Sequence, residues 1–303
     1  MTTEQRLKNI SVPNHPIDVV LDTDAYNEID DQFAIAYLLS CKEKLNTRAI
    51  YAAPFLNEHS KSAADGMEQS YNEILKLLDF MKEKADVYRG SDAFLTDEKT
   101  PIISDAAKDL AERARNYSPE NPLYVIAIGA ITNVASAILL NPEVAENTVV
   151  VWLGGHALHY PHAREFNLYQ DIAAARVVMG SGVPFVLLPC RGVVSSFTIS
   201  SPELEYWFKG KNKIADYLAT HAINVAEEYA ANTPWTRCIW DVTAVAWLMN
   251  DNEGFMEATV VDGVLPTYDN LYEPNPSKTP MGYVYHIKRD FLMDDMIKRI
   301  LKR

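Results

Sequence analysis

The stretch Ile17-Asp18-Val19-Val20-Leu21-Asp22-Thr23-Asp24, followed by Ala25-Tyr26-Asn27-Glu28-Ile29-Asp30-Asp31 and then by Phe33-Ala34-Ile35-Ala36-Tyr37-Leu38-Leu39, decides the fold. A short apolar run ends in acidic residues and leads into a largely apolar helical stretch, the pattern of a buried strand, a loop and a packed helix. Working outward, further strands are predicted at 47–53, 123–128, 148–153, 183–188 and 258–261. Between them lie predicted helices at 30–41, 65–84, 132–140, 171–179, 212–231, 241–249 and 290–301. In the second of these, Met67, Tyr71, Ile74, Leu75, Leu78 and Met81 recur at helical spacing. Apolar strands bounded by turns and alternating with helices predict an α/β fold, with an open, mostly parallel central sheet and helices on both faces. No repeat or Gly/Ser linker divides the chain, and the Pro-rich stretch 266–280 reads as a long loop, so residues 1–303 are expected to form one domain. In such a sheet chemistry gathers outside the carboxyl ends of the strands. Attention therefore falls on 22–31, 128–133, 154–171 and the loop before Asp241.

Composition narrows the partners. The 303 residues are 48% hydrophobic and 23% charged, an ordinary mixture for a globular chain. Lys plus Arg number 28 against 41 Asp plus Glu, a net charge of −13, which argues against a nucleic-acid partner. The longest apolar runs, such as 34–39 and 183–188, are too short to span a bilayer. Cys41, Cys190 and Cys238 are far apart and lack metal-site spacing, so they read as reduced thiols. Residues 1–16 are polar and carry no apolar leader, and a cytoplasmic location is expected.

Between Asp22 and Asp31 stand five carboxylates in ten residues. A charge run is usually a solvated face, but this one follows a buried strand directly. Asp30 and Asp31 fall in the first helical turn, where the helix dipole favours an anion by about 0.3–1 kcal/mol each. That gain does not offset the mutual repulsion of so many charges in a crevice, whereas a bound cation does. Oxygen donors without nearby Cys point to a hard ion, Ca²⁺ or Mg²⁺. A strand ending in Asp22-Thr23-Asp24 also suggests a haloacid-dehalogenase-type phosphatase, although Tyr26 stands where that family carries Thr or Val.

The motifs resemble those of the inosine-uridine-type nucleoside hydrolases, whose hallmark is a strand running into Asp-x-Asp-Pro-Gly-x-Asp-Asp and a helix. The segment Ile128-Gly129-Ala130-Ile131-Thr132-Asn133 is similar to the family's Gly-Pro-Leu-Thr-Asn, and Trp152-Leu153-Gly154-Gly155 to its Met-Gly-Gly. Glu165-Phe166-Asn167, with Asp171 and Ala174 beyond, matches its Glu-Phe-Asn motif, and Trp240-Asp241 stands where it has His-Asp. The resemblance implies a three-layer, Rossmann-like fold and a Ca²⁺ held by Asp24, Asp31, Asp241 and the Ile128 carbonyl. It implies that Asp30 faces the ribose hydroxyls, that Glu165 and Asn167 hold the 5′ and 3′ hydroxyls, and that Asp24 deprotonates an ion-held water attacking C1′. A small-molecule nucleoside substrate and a homodimer or homotetramer follow from the same resemblance.

Departures from the pattern locate what is individual here. Ala25-Tyr26-Asn27-Glu28-Ile29 replaces Pro-Gly-x, two residues longer, so the loop is expected to bulge and bring Asn27 or Glu28 into the site. Trp240 replaces the His that acts as leaving-group acid in many members; a purine-restricted member has Trp there, and stacking on the base leans toward purines. Packing at a helix start is the other reading of Trp240, and Trp235 and Tyr229 are further aromatics. His156, His159 and His162 recur at three-residue spacing; they read as a non-ligating cluster in preference to a three-His metal site. His159 is expected to contact a 5′-hydroxyl or donate a proton, and Asn57 to stand in for an Asn near the ribose. The expected function is Ca²⁺-dependent hydrolysis of a ribonucleoside N-glycosidic bond through an oxocarbenium-like transition state, leaning to purines. The alternatives are a hydrolase of another ribosylated small molecule and a non-catalytic Ca²⁺/sugar-binding protein.

Overall fold

The computed structural model describes residues 1–302. Its strands are β1 (Ile17–Thr23), β2 (Leu45–Ala52), β3 (Asp86–Arg89), β4 (Leu123–Ala127), β5 (Thr148–Leu153), β6 (Phe185–Leu188), β7 (Thr198–Ser200), β8 (Thr236–Cys238), β9 (Met256–Asp262), β10 (Val264–Pro266), β11 (Tyr272–Pro274) and β12 (Pro280–Ile287). Eight of them form one sheet in the order β3-β2-β1-β4-β5-β6-β12-β9. Every neighbouring pair is parallel except β12 and β9, which run antiparallel at one edge. The expected open, mostly parallel sheet is what the chain forms.

Alternation along the strands sends side chains to two separate cores, as a pleat of period two requires. Val19 and Leu21, Tyr124 and Ile126, and Val149 and Val151 face one core. Val20, Val125, Val150 and Trp152 face the other. The helices Asp30–Ser40, Ala63–Met81, Lys213–Ala230 and Arg289–Leu301 cover the first face; Asp105–Arg113, Thr132–Leu140 and Ile172–Gly180 cover the second. Both faces of the central strands are thus buried, which is why their sequences read as continuous apolar runs.

The structure departs from the sequence reading at identifiable places. β6 begins at Phe185 and not at 183, because Pro184 has no N–H for the ladder; only its carbonyl is used, accepting from Val150 N at 2.9 Å. Asp171 caps the following helix with its side chain, accepting from Ala174 N, so that helix starts at Ile172. The stretch 266–280, read as a loop, carries β11, paired antiparallel with β10. Among the elements not predicted are β3, the helices Thr3–Asn9, Asp105–Arg113 and Ser201–Trp207, and β12, an inner strand between β6 and β9. All three cysteines are free, and among the described residues no helix is long and apolar enough to cross a membrane.

Candidate active site

β1 ends between β2 and β4, with parallel neighbours on both sides, so the loop after it opens at the carboxyl edge of the sheet. Asp24 follows that strand, Asp30 and Asp31 open the next helix, and Asp241 precedes the helix Val242–Leu248. Fold topology therefore brings four carboxylates from three segments to one place, and all four are buried, each no more than 3% exposed. One oxygen from each of Asp30, Asp31 and Asp241 lies within 4.8 Å of the others. Asp24 stands outside that tightest trio but close enough that Asp31 and Asp30 repel its charge.

Their hydrogen bonding is incomplete. Asp31 accepts from the Thr23 hydroxyl, and Asp30 and Asp241 share a hydrogen bond. Asp241 Oδ1 has no partner within the chain, and neither oxygen of Asp24 has one. Burial, then the charges of its neighbours, drives the Asp24 carboxyl well above the ordinary carboxylate range. The same causes raise Asp241 and Asp31, the latter eased by Thr23. Burial lifts Asp30 to about 7, with Glu28 raising it and Arg237 lowering it. Buried, unpaired anions are costly, and a cation among them removes both the desolvation and the repulsion. The donor set is oxygen alone, with carboxylate oxygens left unsatisfied, so these residues fit a hard divalent metal ion.

Around this floor the chain is braced. Asn133 donates to Asp22 Oδ1 at 2.8 Å and accepts from the Ser91 backbone and hydroxyl, tying β1 to the loop after β3. Gly129 leaves room for the acid: a Cβ there would stand 3.0 Å from Asp24 Oδ1, a tighter contact than usual. The Ile128 carbonyl accepts from Asn167 Nδ2 at 3.3 Å, and that amide also bonds the Leu153 carbonyl. Glu165 takes the N–H groups of Gly155, Asn167 and Leu168 on its two oxygens.

A crevice of about 490 Å³ opens above, lined among others by Asp30, Asp241, Glu165, Asn167, Trp240 and the Ile128 backbone segment. Trp240 is half-buried, lining the crevice while also packing on the core. The inserted loop divides its work. Glu28 lines the crevice and pairs with Arg237 at 2.6 Å, while Asn27 accepts from Asn57 at 2.6 Å. Asn57 is thus engaged with the insertion and is not among the lining residues. Of the histidines, His156 and His162 line the crevice; His159 is exposed and does not. Sequence reasoning did not single out Arg164 and Arg191, which share that wall. Isolated loop arginines carry no local pattern that separates them from surface residues.

The chain is similar to known proteins along most of its length. The pyrimidine-specific ribonucleoside hydrolase RihA of Citrobacter koseri is 28% identical over 149 residues, 47% of each chain, so the match spans about half the length of that relative. The probable uridine nucleosidase 2 of Arabidopsis thaliana is 26% identical over 222 residues, 66% of this chain and 67% of its own. Among solved structures, the purine-preferring ribonucleoside hydrolase of Gardnerella vaginalis superposes with a TM-score of 0.73 at 18% identity, covering 94% of this chain and 98% of that one. The type III effector protein XopQ, solved with adenosine diphosphate ribose, reaches 0.72 at 17% identity, covering 99% and 96%. These two likenesses are of fold. The sequence profile of the inosine-uridine preferring nucleoside hydrolases matches residues 19–269, the greater part of the chain. This chain belongs to the inosine-uridine preferring nucleoside hydrolase family.

Proposed function

We propose that the protein hydrolyses the N-glycosidic bond of ribonucleosides, releasing base and ribose, with Asp24 as general base. The observation that carries this reading is Asp24 itself, a fully buried carboxylate with both oxygens unpartnered beside the trio Asp30, Asp31 and Asp241. Such a group has no structural use for its oxygens. We assign the metal as Ca²⁺, held by Asp24, Asp31, Asp241 and the Ile128 carbonyl; when bound it supplies positive charge that acidifies water and orients a ribose diol. Positive charge within about 4–6 Å also returns Asp24 to its ionised, proton-accepting form.

The residues then divide the reaction. Asp24 accepts a proton from the water that attacks C1′. As the C1′–N bond lengthens, charge resembling an oxocarbenium ion develops, and the surrounding carboxylates stabilise it electrostatically. Asp30 and Asn167 hold ribose hydroxyls, and Glu165, fixed by three backbone N–H groups, faces the 5′ side. Trp240 stacks on the departing base, which favours a large π-surface. Water and base lie on opposite faces of the sugar, so the configuration at C1′ inverts, by analogy with inverting glycosidases.

The curated relatives named above act on pyrimidine nucleosides or uridine, and the Gardnerella neighbour prefers purines. Reducing-sugar release from inosine, adenosine, guanosine, uridine and cytidine, with Ca²⁺ and with chelator, therefore tests the reading and orders the bases. Chelator-sensitive release strongest for purines is expected; release indifferent to chelator would remove the metal from the reading. A second reading, hydrolysis of a different ribosylated molecule, draws on XopQ, solved with adenosine diphosphate ribose. Silence across the nucleoside panel would favour it.

A further inference from the structure

Two charge environments share the crevice. Its lining combines the carboxylates Glu28, Asp30, Glu165 and Asp241 with His156, His162, Arg164 and Arg191. The basic side chains group around His156, whose ring neighbours that of His162 and feels the charge of Arg191. In a chain of net charge −13 such a cluster is unexpected, and its arginines are unlike the rest. Among the described residues, Arg48, Arg89, Arg113, Arg115, Arg176, Arg237, Arg289 and Arg299 all pair with carboxylates, and Arg6 donates to the Gly182 carbonyl. Arg164 and Arg191 have no such partner; Arg164 lies over the Tyr169 ring, 4.6 Å from its centroid. The nearest anion along the chain, Glu165, has both oxygens committed to backbone N–H groups.

The backbone behind this wall is fastened, while the Arg164 and Arg191 side chains themselves are exposed. Ala157 N bonds the Arg191 carbonyl at 3.0 Å, and Cys190 N bonds the Gly155 carbonyl at 2.9 Å, which ties the loop after β5 to the loop after β6. Ala163 N bonds the Asn270 carbonyl at 2.7 Å, and Tyr272 Oη donates to the His156 carbonyl at 3.2 Å, fastening the same loop from behind. Gly155 has φ +65°, and a Cβ there would meet Tyr272 Oη at 2.0 Å, so the turn that presents His156 needs glycine. His156 is 4% exposed and its ring stands 5.3 Å from that of His162. Burial first, then the charge of Arg191, lowers the His156 imidazole to about 4, so it stands neutral and able to donate or accept a hydrogen bond.

Two arginines without carboxylate partners, beside two imidazoles at the crevice wall, are a donor set for a phosphate: planar forks that bond its oxygens in pairs, with imidazole donors alongside. We propose that the substrate is a ribosyl 5′-phosphate compound, a nucleoside 5′-monophosphate or a relative of it, whose phosphate is bound by Arg164, Arg191, His156 and His162. The assignment rests on the N-glycosidase reading for its direction. With C1′ and the diol against Asp30 and Asp241 and the base against Trp240, the 5′ carbon, on the side of Glu165, is the ribose substituent that reaches the neighbouring basic wall. In the reaction, the water oxygen bonds C1′ and the C1′–N electron pair leaves with the base nitrogen. One water proton passes to Asp24 and the base takes up a proton from solvent. The products are free base and ribose 5-phosphate.

The test measures kcat/KM for inosine 5′-monophosphate and for inosine, in the wild type and in the variant Arg164→Gln/Arg191→Gln, with Ca²⁺ present. The expected result is a preference for the monophosphate that falls about ten- to a hundred-fold in the variant, the scale of losing charge-assisted hydrogen bonds. In the wild type the preference should also shrink as salt rises. In parallel, calorimetry compares ribose 5-phosphate with ribose as ligands of the same proteins, a readout that needs no turnover. If inosine is cleaved as well as or better than its monophosphate and ribose 5-phosphate binds no more tightly than ribose, the phosphate site is wrong while the hydrolase reading stands. Should neither nucleoside be cleaved while ribose 5-phosphate binds preferentially and the variant loses it, the phosphate site stands and the hydrolase reading falls. Neither cleavage nor preferential binding overturns both.

Discussion

Asp24 and Asp171 are both buried aspartates, both on loops that leave the carboxyl edge of the sheet, yet they differ in every bond they make. Asp171 accepts from Leu95 N at 2.9 Å, the Thr132 hydroxyl at 2.7 Å and Ala174 N at 2.9 Å, so both its oxygens are satisfied. It clips three segments together. Asp24, 1% exposed, has neither oxygen bonded. A buried polar group is ordinarily hydrogen-bonded, so the exception is the informative one. The bonded aspartate belongs to the framework, and the unbonded one is kept for something that arrives from outside.

The largest effect that sharpens this contrast is on rate. Asp24→Asn removes the proton acceptor with little change in shape, and kcat for the preferred substrate should fall about 10²–10⁴-fold. Thermal unfolding of the metal-free variant should occur at or above the wild-type midpoint, since a buried repulsion is gone; a loss of stability with activity retained would invert the contrast. Asp171→Ala should do the reverse. It strands three donors, at about 1–3 kcal/mol for each buried group left unsatisfied, and denaturant unfolding should show a loss of about 3 kcal/mol or more.

Removing the metal gives a smaller, pH-dependent effect whose sign follows from the raised carboxyls. Asp30 titrates at about 7 in the folded chain against an ordinary value near 3.8, with Asp24, Asp31 and Asp241 displaced the same way. Between those pH values the folded state binds more protons than the unfolded state, so metal-free stability falls as pH rises from about 4 to about 7. Unfolding midpoints with chelator should therefore decline over this window, and the gain on adding Ca²⁺ should grow with pH. A gain equal at pH 5 and pH 7.5 would mean that these carboxyls do not meet the ion. Smallest is Trp240→Ala, expected to lower kcat/KM for purine nucleosides about two- to ten-fold, the worth of one aromatic stack. An equal loss for uridine would reduce Trp240 to packing.

The first strand, its acidic loop and the following helix were legible because their determinants are contiguous: a central parallel strand is apolar throughout, and the carboxylates sit where it stops. β12 was not. Its sequence opens with Pro280 and contains Gly282, both weak strand formers, and Gly282 lies close to β6, where a Cβ would stand 3.1 Å from Val186. β3 is a four-residue edge strand with no buried residue, and nothing in its composition separates it from a loop. In the site, local motifs placed the aspartates but did not distinguish the tight trio of Asp30, Asp31 and Asp241 from the position of Asp24, which depends on side-chain packing. The phosphatase alternative required Asp22 as an accessible nucleophile, and Asp22 is fully buried beneath the crevice, Oδ1 bonded to Asn133 and Oδ2 unpartnered, and it is not among the crevice-lining residues. The basic wall was invisible for a different reason. Arg164 and Arg191 lie on two loops that only the parallel pairing of β5 and β6 sets side by side.

Strand order also dictates when the site exists. Asp24, Asp30 and Asp31 are made early, but Asp241 is residue 241 of 303 and its helix packs against the helix Asp30–Ser40. β12, which joins β6 to β9, is made later still. Chains emerge from synthesis N-terminus first, and contacts between distant segments form slowly. During most of its synthesis this polypeptide therefore holds an incomplete set of acids that solvent can still reach and hydrate. The full electrostatic burden of the finished pocket falls on the fold only when the segment carrying Asp241 docks, together with the strands β9 and β12 that complete the sheet.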